Sequence, residues 1–272
     1  MEKEVAETLA VLGHPQRLAL FRLLMRRYPD RLPAGEIAQI LGLKPSTLSA
    51  YLAALMQVGL LGKERVGTSL LYSIEMGAVR ETFGFLLDDC CRGRVSDCLP
   101  APASTTPRRF RVLFVCTGNS ARSLMAEALL RALGGDRFEA HSAGTHPASG
   151  PNPQALALLE GQQHGTSGLY SKDFGSLASE PPFDFVFTVC DRAANEECPA
   201  LPGHPVSGHW GVPDPVIEAA RARTPAEAAL AFRAAYGALR NRIEAFAALP
   251  FETLDRRALQ SAVDDIARYG EN

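Results

Sequence analysis

Residues 116–123, CTGNSARS, place one thiol and one guanidinium at the two ends of a run of small residues. The apolar stretch VLFV at 112–115 delivers the chain to Cys116 as a buried strand, and a helix is predicted from Arg122. Backbone N–H groups of such a loop converge at the positive end of the helix, which makes a cradle for an anion. Gly118 and Asn119 are residue types that tolerate the positive φ a cradle needs. Arg122 adds a two-pronged donor for a tetrahedral oxyanion. In that field the Cys116 thiol is expected to ionise several units below its free pKa of about 8.5. The chemistry is nucleophilic: a thiolate aimed at the phosphorus or arsenic of an oxyanion held by Thr117, Gly118, Asn119, Ser120, Ala121 and Ser123.

A second thiol cluster lies in FLLDDCCRGRVSDC, residues 85–98. Cys90 and Cys91 are adjacent and Cys98 follows seven residues later. Three sulfurs that a chain reversal brings together suit a soft ion such as trivalent arsenic or antimony. Zinc would want a fourth ligand, and no histidine lies between Leu32 and residue 99 to supply it. Cys90 and Cys91 converge only if their helix ends there, and Arg92-Gly93 is the expected end. The six histidines read as structural or solvated.

The elements that position these groups fall into two halves. At 272 residues the chain is long enough for two cores. LPAPASTTPR at 99–108 reads as a semi-rigid linker, which divides residues 1–98 from 109–272. Before it the pattern is mainly helical with one short hairpin. After it, strand-like runs alternate with helices: RVLFVC then 122–133, FEAHSAG then 152–160, FDFVFTVC then 225–247. That alternation predicts an α/β fold, a parallel sheet flanked by helices. With 46% apolar and 21% charged residues the composition is that of an ordinary soluble protein. There is no apolar run of membrane length, and the acidic start MEKEVAE is unlike a signal peptide. A cytoplasmic location follows, with reduced or reactive thiols in place of a disulfide scaffold.

In the first half, residues 35–61 read as two helices broken at Gly42-Leu43-Lys44-Pro45. Ile37, Ile40 and Leu41 form one apolar face, and Leu48, Leu52, Leu55 and Met56 the next. Ser46, Thr47, Ser49, Ala50 and Tyr51 are left mainly to the outside, beside Lys44, as a major-groove reader requires. Gly59 ends the second helix, and 62–75 reads as two strands around Gly67-Thr68, a wing that sets Lys63 and Arg65 near phosphate. Residues 17–65 hold eight basic against three acidic side chains, a net of +5 within a chain of net −2. GHPQRLALFRLL, IAQILGLKPSTLSAYLAAL and the wing resemble ArsR-type winged-helix repressors over roughly residues 4–98. The resemblance implies a homodimer formed through this domain on operator DNA, with As(III) at Cys90, Cys91 and Cys98 as effector. The second helix departs from it in lacking an outward Arg or Lys to read guanine.

The loop at Cys116, with SAGT at 142–145, NPQAL at 152–156, SK at 171–172 and HWGVPDP at 209–215, resembles the low-molecular-weight tyrosine phosphatase fold, which one class of arsenate reductases shares. It covers roughly residues 110–270 and implies Cys116 as nucleophile, Arg122 as anion clamp and Asp214 as acid. The two activities part at the next step. A phosphatase hydrolyses its cysteinyl intermediate, whereas reduction of As(V) needs further thiols. TVCDRAANEECPALPG offers Cys190 at a strand end, on the sheet edge that carries the cradle, and Cys198 eight residues on. Cys190 could attack Cys116 and Cys198 could resolve the disulfide. Val216 also stands where the phosphatases carry an aromatic residue. The expectation is an arsenate reductase fused to an arsenite-responsive repressor, with no tightly bound cofactor and a thioredoxin or glutaredoxin as reductant. A phosphatase fused to a regulator, or an oxyanion-binding module, is the alternative.

Overall fold

The computed structural model describes residues 1–90, 109–196 and 203–269, and the chain divides into two compact units, Met1–Thr105 and Thr106–Asn272. Cys91, Cys98, Cys198 and the linker at 99–108 lie outside the described residues.

Among the described residues the first unit has five α-helices and a small antiparallel sheet: α1 (Glu2–Leu12), α2 (Pro15–Arg27), β1 (Leu32–Pro33), α3 (Ala34–Leu41), α4 (Pro45–Gln57), β2 (Leu61–Val66), β3 (Ser69–Ile74) and α5 (Met76–Phe85). Two signals make the turn between α3 and α4. Gly42 ends α3 in the left-handed region (φ 62), where a side chain would be strained, and the Leu43 amide closes onto the Ala38 carbonyl at 3.0 Å. Pro45 then opens α4 at a position where its missing N–H is no loss. Leu20, Leu23, Leu24, Ile37, Leu48, Leu52 and Leu55 fill the core beneath. β2 and β3 pair from Leu61↔Ile74 to Val66↔Ser69 around a two-residue turn, and β1 adds a short third strand that hydropathy had not signalled. A single wider turn, Leu86–Cys90, continues α5.

In the second unit β4 (Phe110–Cys116), β5 (Phe138–Gly144), β6 (Phe185–Thr188) and β7 (Val206–His209) form a parallel sheet in the order β5-β4-β6-β7. Helices α6 (Arg122–Leu133), α7 (Pro153–Gly161), α8 (Asp191–Asn195), α9 (Pro215–Arg221), α10 (Pro225–Ala247) and α11 (Arg256–Ala267) flank it. Val112, Leu113, Phe114 and Val115 are all buried, because a central parallel strand is covered on both faces. α6 packs on β4, β5 and α10, and α11 covers β7. The core beside β6 is aromatic: Trp210 stacks on Phe187 at 3.8 Å between centroids, and Phe246 meets both edge-on. β7 is the strand that the sequence hid, since VSGH is short and carries one apolar side chain.

Candidate active site

The pairing of β4 with β5 runs out at Cys116↔Gly144, and the chain leaves the sheet there. What shapes the next five residues is where their carbonyls go. Those of Cys116, Thr117, Gly118 and Ser120 accept from the amides of Thr145, His146, Ala148 and Asn152 at 2.8–3.1 Å, and that of Asn119 accepts from the Ser171 hydroxyl at 2.8 Å. In a trans peptide the following N–H points the opposite way. With five successive carbonyls turned outward, the amides of residues 117–121 turn inward, towards Cys116. One of them, the Asn119 amide, donates to Cys116 Sγ at 3.1 Å. Asn119 holds φ 42, and the loop crosses Gly144 so closely that a Cβ there would lie 2.7 Å from the Thr117 carbonyl oxygen. Thr117, Gly118 and Ser120 are half-buried, while Asn119, Ala121 and Ser123 are buried.

Cys116 itself is buried, and burial pushes its thiol up from the ordinary value. Hydrogen bonding to Ser123 and the charge of Arg122 pull the other way, and neighbouring Cys190 adds to the rise. The depressed value expected from the loop pattern is therefore corrected in direction. The physical reason is desolvation: the covered sheet buries the sulfur, and that outweighs the Ser123 hydrogen bond and the Arg122 charge.

Behind the loop stands a polar network that the sequence reading did not assign. The Asn119 side-chain amide donates to both Ser123 Oγ and Ser142 Oγ at 2.8 Å. Each hydroxyl, having accepted, has its own hydrogen for another partner. Ser123 Oγ lies within hydrogen-bond reach of Cys116 Sγ, 2.9 Å away, and Ser142 donates to the buried Glu127 carboxylate. Arg131 and Lys172 complete Glu127, the lysine at 3.3 Å, and the Lys172 amide reaches Asn119 Oδ1 at 2.7 Å. The spacing of Ser123 and Glu127, four apart on α6, was the one signal available.

Arg122 and Asp214 come together from opposite loops. Arg122 Nη1 donates to the Val212 carbonyl at 3.0 Å, and Nη2 holds Asp214. The other Asp214 oxygen, Oδ1, caps α9 at the Val216 amide, 3.0 Å away. The loop that presents Asp214 is fixed from below, where the buried Arg242 guanidinium donates to the carbonyls of Trp210, Gly211 and Ala267 at 3.1–3.4 Å. Val216 is exposed, directly after the Asp214-Pro215 pair.

Cys190 is buried at the end of β6, on the same sheet edge as Cys116. The Val189 amide still bonds the Val115 carbonyl at 2.8 Å, which carries the β4–β6 register one residue past the strands. Cys190 Sγ accepts from the Ala193 amide at the start of α8 and lies 3.4 Å from Thr117 Oγ1, next in the chain to Cys116. Four histidines have structural partners: His14 caps α2, His164 meets the Tyr236 hydroxyl, His209 bridges Thr188 and Asp191, and His141 pairs with Glu139.

In the first unit Ser46, Ser49 and Ala50 of α4 are exposed together with Lys44, and Thr47 is half-buried. Tyr51 is half-buried too, its hydroxyl donating to Gln16 Oε1 at 2.6 Å and its ring 5.1 Å from His14. Lys63 and Arg65 are exposed on β2, and Cys90 is exposed at the last described turn.

A buried sulfur that accepts a loop amide, at the edge of a parallel sheet and beside an Arg–Asp pair, is the centre of the second unit's candidate site. Residues 111–259, more than half of the chain, match the family model of low molecular weight phosphotyrosine protein phosphatases, and the chain belongs to that family. Residues 12–62 match a helix-turn-helix domain model. Arsenate reductase 1 of Staphylococcus epidermidis is 39% identical over 110 residues, 38% of this chain and 76% of that protein. An arsenate reductase structure from Archaeoglobus fulgidus is 26% identical and covers 51% of this chain and 99% of its own, with a TM-score of 0.40. The repressor BigR of Xylella fastidiosa is 29% identical over 33% of this chain and 89% of its own, with a TM-score of 0.27. No helix among the described residues is long and apolar enough to cross a membrane.

Proposed function

We propose that the second unit reduces arsenate and that the first represses transcription until arsenite binds it. The observation that carries the enzyme reading is the second buried thiol, Cys190, held on the Cys116 edge and in contact with Thr117. A phosphoester hydrolase has no use for it.

In this reading the Cys116 thiolate bonds to the arsenic of an arsenate held by the loop amides and Arg122. One oxygen leaves as water with a proton from Asp214. The Cys190 thiolate then attacks Cys116 Sγ. The sulfur–arsenic bond breaks with both electrons going to arsenic, which departs as As(III), and a Cys116–Cys190 disulfide forms. Cys198 attacks Cys190 and frees Cys116, and the final disulfide is reduced by an external dithiol such as thioredoxin or glutaredoxin. Cys190 opens α8, a helix of five residues, so little secondary structure has to unwind for the exchange.

For the first unit, α4 and the wing are the DNA-reading surface, in a homodimer, and Cys90 with Cys91 and Cys98 takes As(III). Closing three sulfurs around the ion displaces the end of α5 and with it the dimer that sets the two reading helices in register.

A thioredoxin-coupled arsenate assay run beside aryl phosphate hydrolysis tests the enzyme. Cys190→Ser should abolish arsenate turnover and spare phosphoester cleavage. Phosphoester cleavage with no arsenate turnover in the parent would establish a phosphatase, the activity that the family model's name favours. For the sensor, arsenite titrated against the DNA-bound protein should release it. Release that persists in the Cys90, Cys91 and Cys98 triple serine variant refutes the assignment.

A further inference from the structure

The loop that carries Asp214 leaves the sheet from β7, and the last helix, α11, is fastened to both. Among the described residues β7 pairs with β6 alone. The Val206 and Trp210 amides donate towards β6, to the Asp184 and Thr188 carbonyls, so Ser207 turns its amide and carbonyl to the open side. There Gln260 of α11 accepts from the Ser207 amide at 3.3 Å and donates to its carbonyl at 2.7 Å, the two bonds a neighbouring strand would make. Next in β7 is Gly208, where a Cβ would stand 2.6 Å from Cγ1 of the buried Val263, so the helix sits in the space of a missing side chain. Two residues further, the Trp210 indole N–H donates to the Val263 carbonyl at 3.3 Å. The Ala267 carbonyl, one of those the last turn of a helix leaves open, accepts from Arg242 Nη2 at 3.2 Å. Nη1 of the same guanidinium holds the Trp210 and Gly211 carbonyls at 3.1–3.4 Å.

Resting on the proposed role of Asp214 as acid, we infer that α11 is a strap that positions it, with Gln260, Val263 and Arg242 as positioning residues. The loop is tied from two sides. Its Trp210 and Val212 amides are held by the Thr188 and Val189 carbonyls at 2.8 and 3.3 Å, at the end of β6. Its Trp210 and Gly211 carbonyls and the Trp210 ring are held by Arg242 and α11, and Asp214 follows three residues after Gly211. The cradle is built elsewhere, from residues 116–123 and the segments at 145–152 and 171 that take their carbonyls. A displaced strap therefore leaves the anion site in place and costs the proton transfer. The match to the family model ends at residue 259, and residues 260–267 of the helix lie beyond it.

Gly208→Ala in the full-length chain displaces the strap, because the new methyl meets Val263 Cγ1, an atom of a stiff side chain, at 2.6 Å. Adding Val263→Ala removes that atom and should seat the helix again. Trp210 is the chain's single tryptophan, so its fluorescence reads the strap directly. Its emission should shift to the red in Gly208→Ala and return in the double variant. Arsenate turnover should fall about 10- to 100-fold in kcat, as for a misplaced proton donor, with KM within about twofold, and should recover in the double variant. A loss of stability alone would act whatever residue stands at 214, so the cycle with Asp214→Asn decides. In that background Gly208→Ala should cost no more than about twofold further. Full kcat in Gly208→Ala, lost kcat beside an unshifted emission, or equal losses in both backgrounds overturns the strap and leaves Asp214 as the acid. Should Gly208→Ala not fold, Gln260→Ala, which removes the two bonds to Ser207 and no core volume, carries the same cycle at smaller amplitude. Aryl phosphate takes the place of arsenate if the parent hydrolyses only that. A parent that turns over neither substrate brings down the proposed function, and the strap's role with it.

Discussion

Replacing Ser123 with alanine removes one hydrogen bond from the sulfur and leaves the loop's amides in place. The hydroxyl lies 2.9 Å from Cys116 Sγ, and it is the donor whenever the sulfur is a thiolate, which can only accept. A hydrogen bond to a charged group contributes about 1.5–3 kcal/mol. The thiol, already pushed up by burial, therefore rises further when that bond is lost, at about 1.4 kcal/mol per factor of ten in thiolate population. At any pH below both values the thiolate population then falls about 10- to 100-fold. The assay is the rate of iodoacetamide alkylation at Cys116 against pH, read by peptide mass spectrometry so that the other five thiols do not interfere. A stability counterpart has a fixed sign. The folded thiol holds its proton more tightly than the unfolded one, so this group's contribution is complete below about pH 8.5 and is lost as pH rises through the folded value. Cys116→Ser should abolish that alkaline loss in urea titrations. An alkylation pKa in Ser123→Ala that is equal to or below the parent's would refute the reasoning.

Gly144→Ala should shift the loop, because the new methyl carbon meets the Thr117 carbonyl at 2.7 Å and the Asn119 amide at 3.0 Å, and neither is a flexible side chain. A loss of about 1–3 kcal/mol in denaturant titration is expected, with turnover falling at least in step. His164, half-buried against Tyr236, has its pKa lowered by burial and by Arg240. Its stabilising contribution is present above about pH 6.5 and lost as pH falls through the folded value, so thermal melts of His164→Gln should lack part of the parent's acid sensitivity. In the first unit, Lys63→Ala with Arg65→Ala should weaken DNA binding on all sequences alike. The slope of log affinity against log salt should drop by about 0.9 per contact removed per bound copy. A change in sequence preference with no change of slope would exclude the wing's phosphate role.

How much was legible depends on whether a feature is local in the chain. The turn between α3 and α4 could be read because Gly42 and Pro45 act on their own backbone, and β4 could be read because a central parallel strand needs an unbroken apolar run. β7 could not, since VSGH owes its strand to the register with β6 and to the cover of α11, both distant in sequence. The same division runs through the site. Cys116, Asn119 and Arg122 share one loop, and their proximity follows from spacing. The pairing of Arg122 with Asp214 spans 92 residues and that of Asn119 with Lys172 spans 53; local pattern gives neither, and only the family resemblance singled out the segments that hold Asp214 and Lys172.

That distinction explains why the direction of the Cys116 shift was misjudged from sequence. The loop pattern shows every group that favours the thiolate, because amides, helix start and arginine are contiguous. The opposing influences come from elsewhere: a fully covered sheet that buries the sulfur, and Cys190 just past the end of β6. The Arg122 charge, which favours the thiolate, is shared with Asp214. Reactivity of Cys116 towards a neutral alkylating agent should therefore rise in Asp214→Asn even without substrate, because the guanidinium then faces the sulfur uncompensated. A rate equal to the parent's would mean that burial alone sets the thiol, and that the Arg122–Asp214 pair has no part in restraining it.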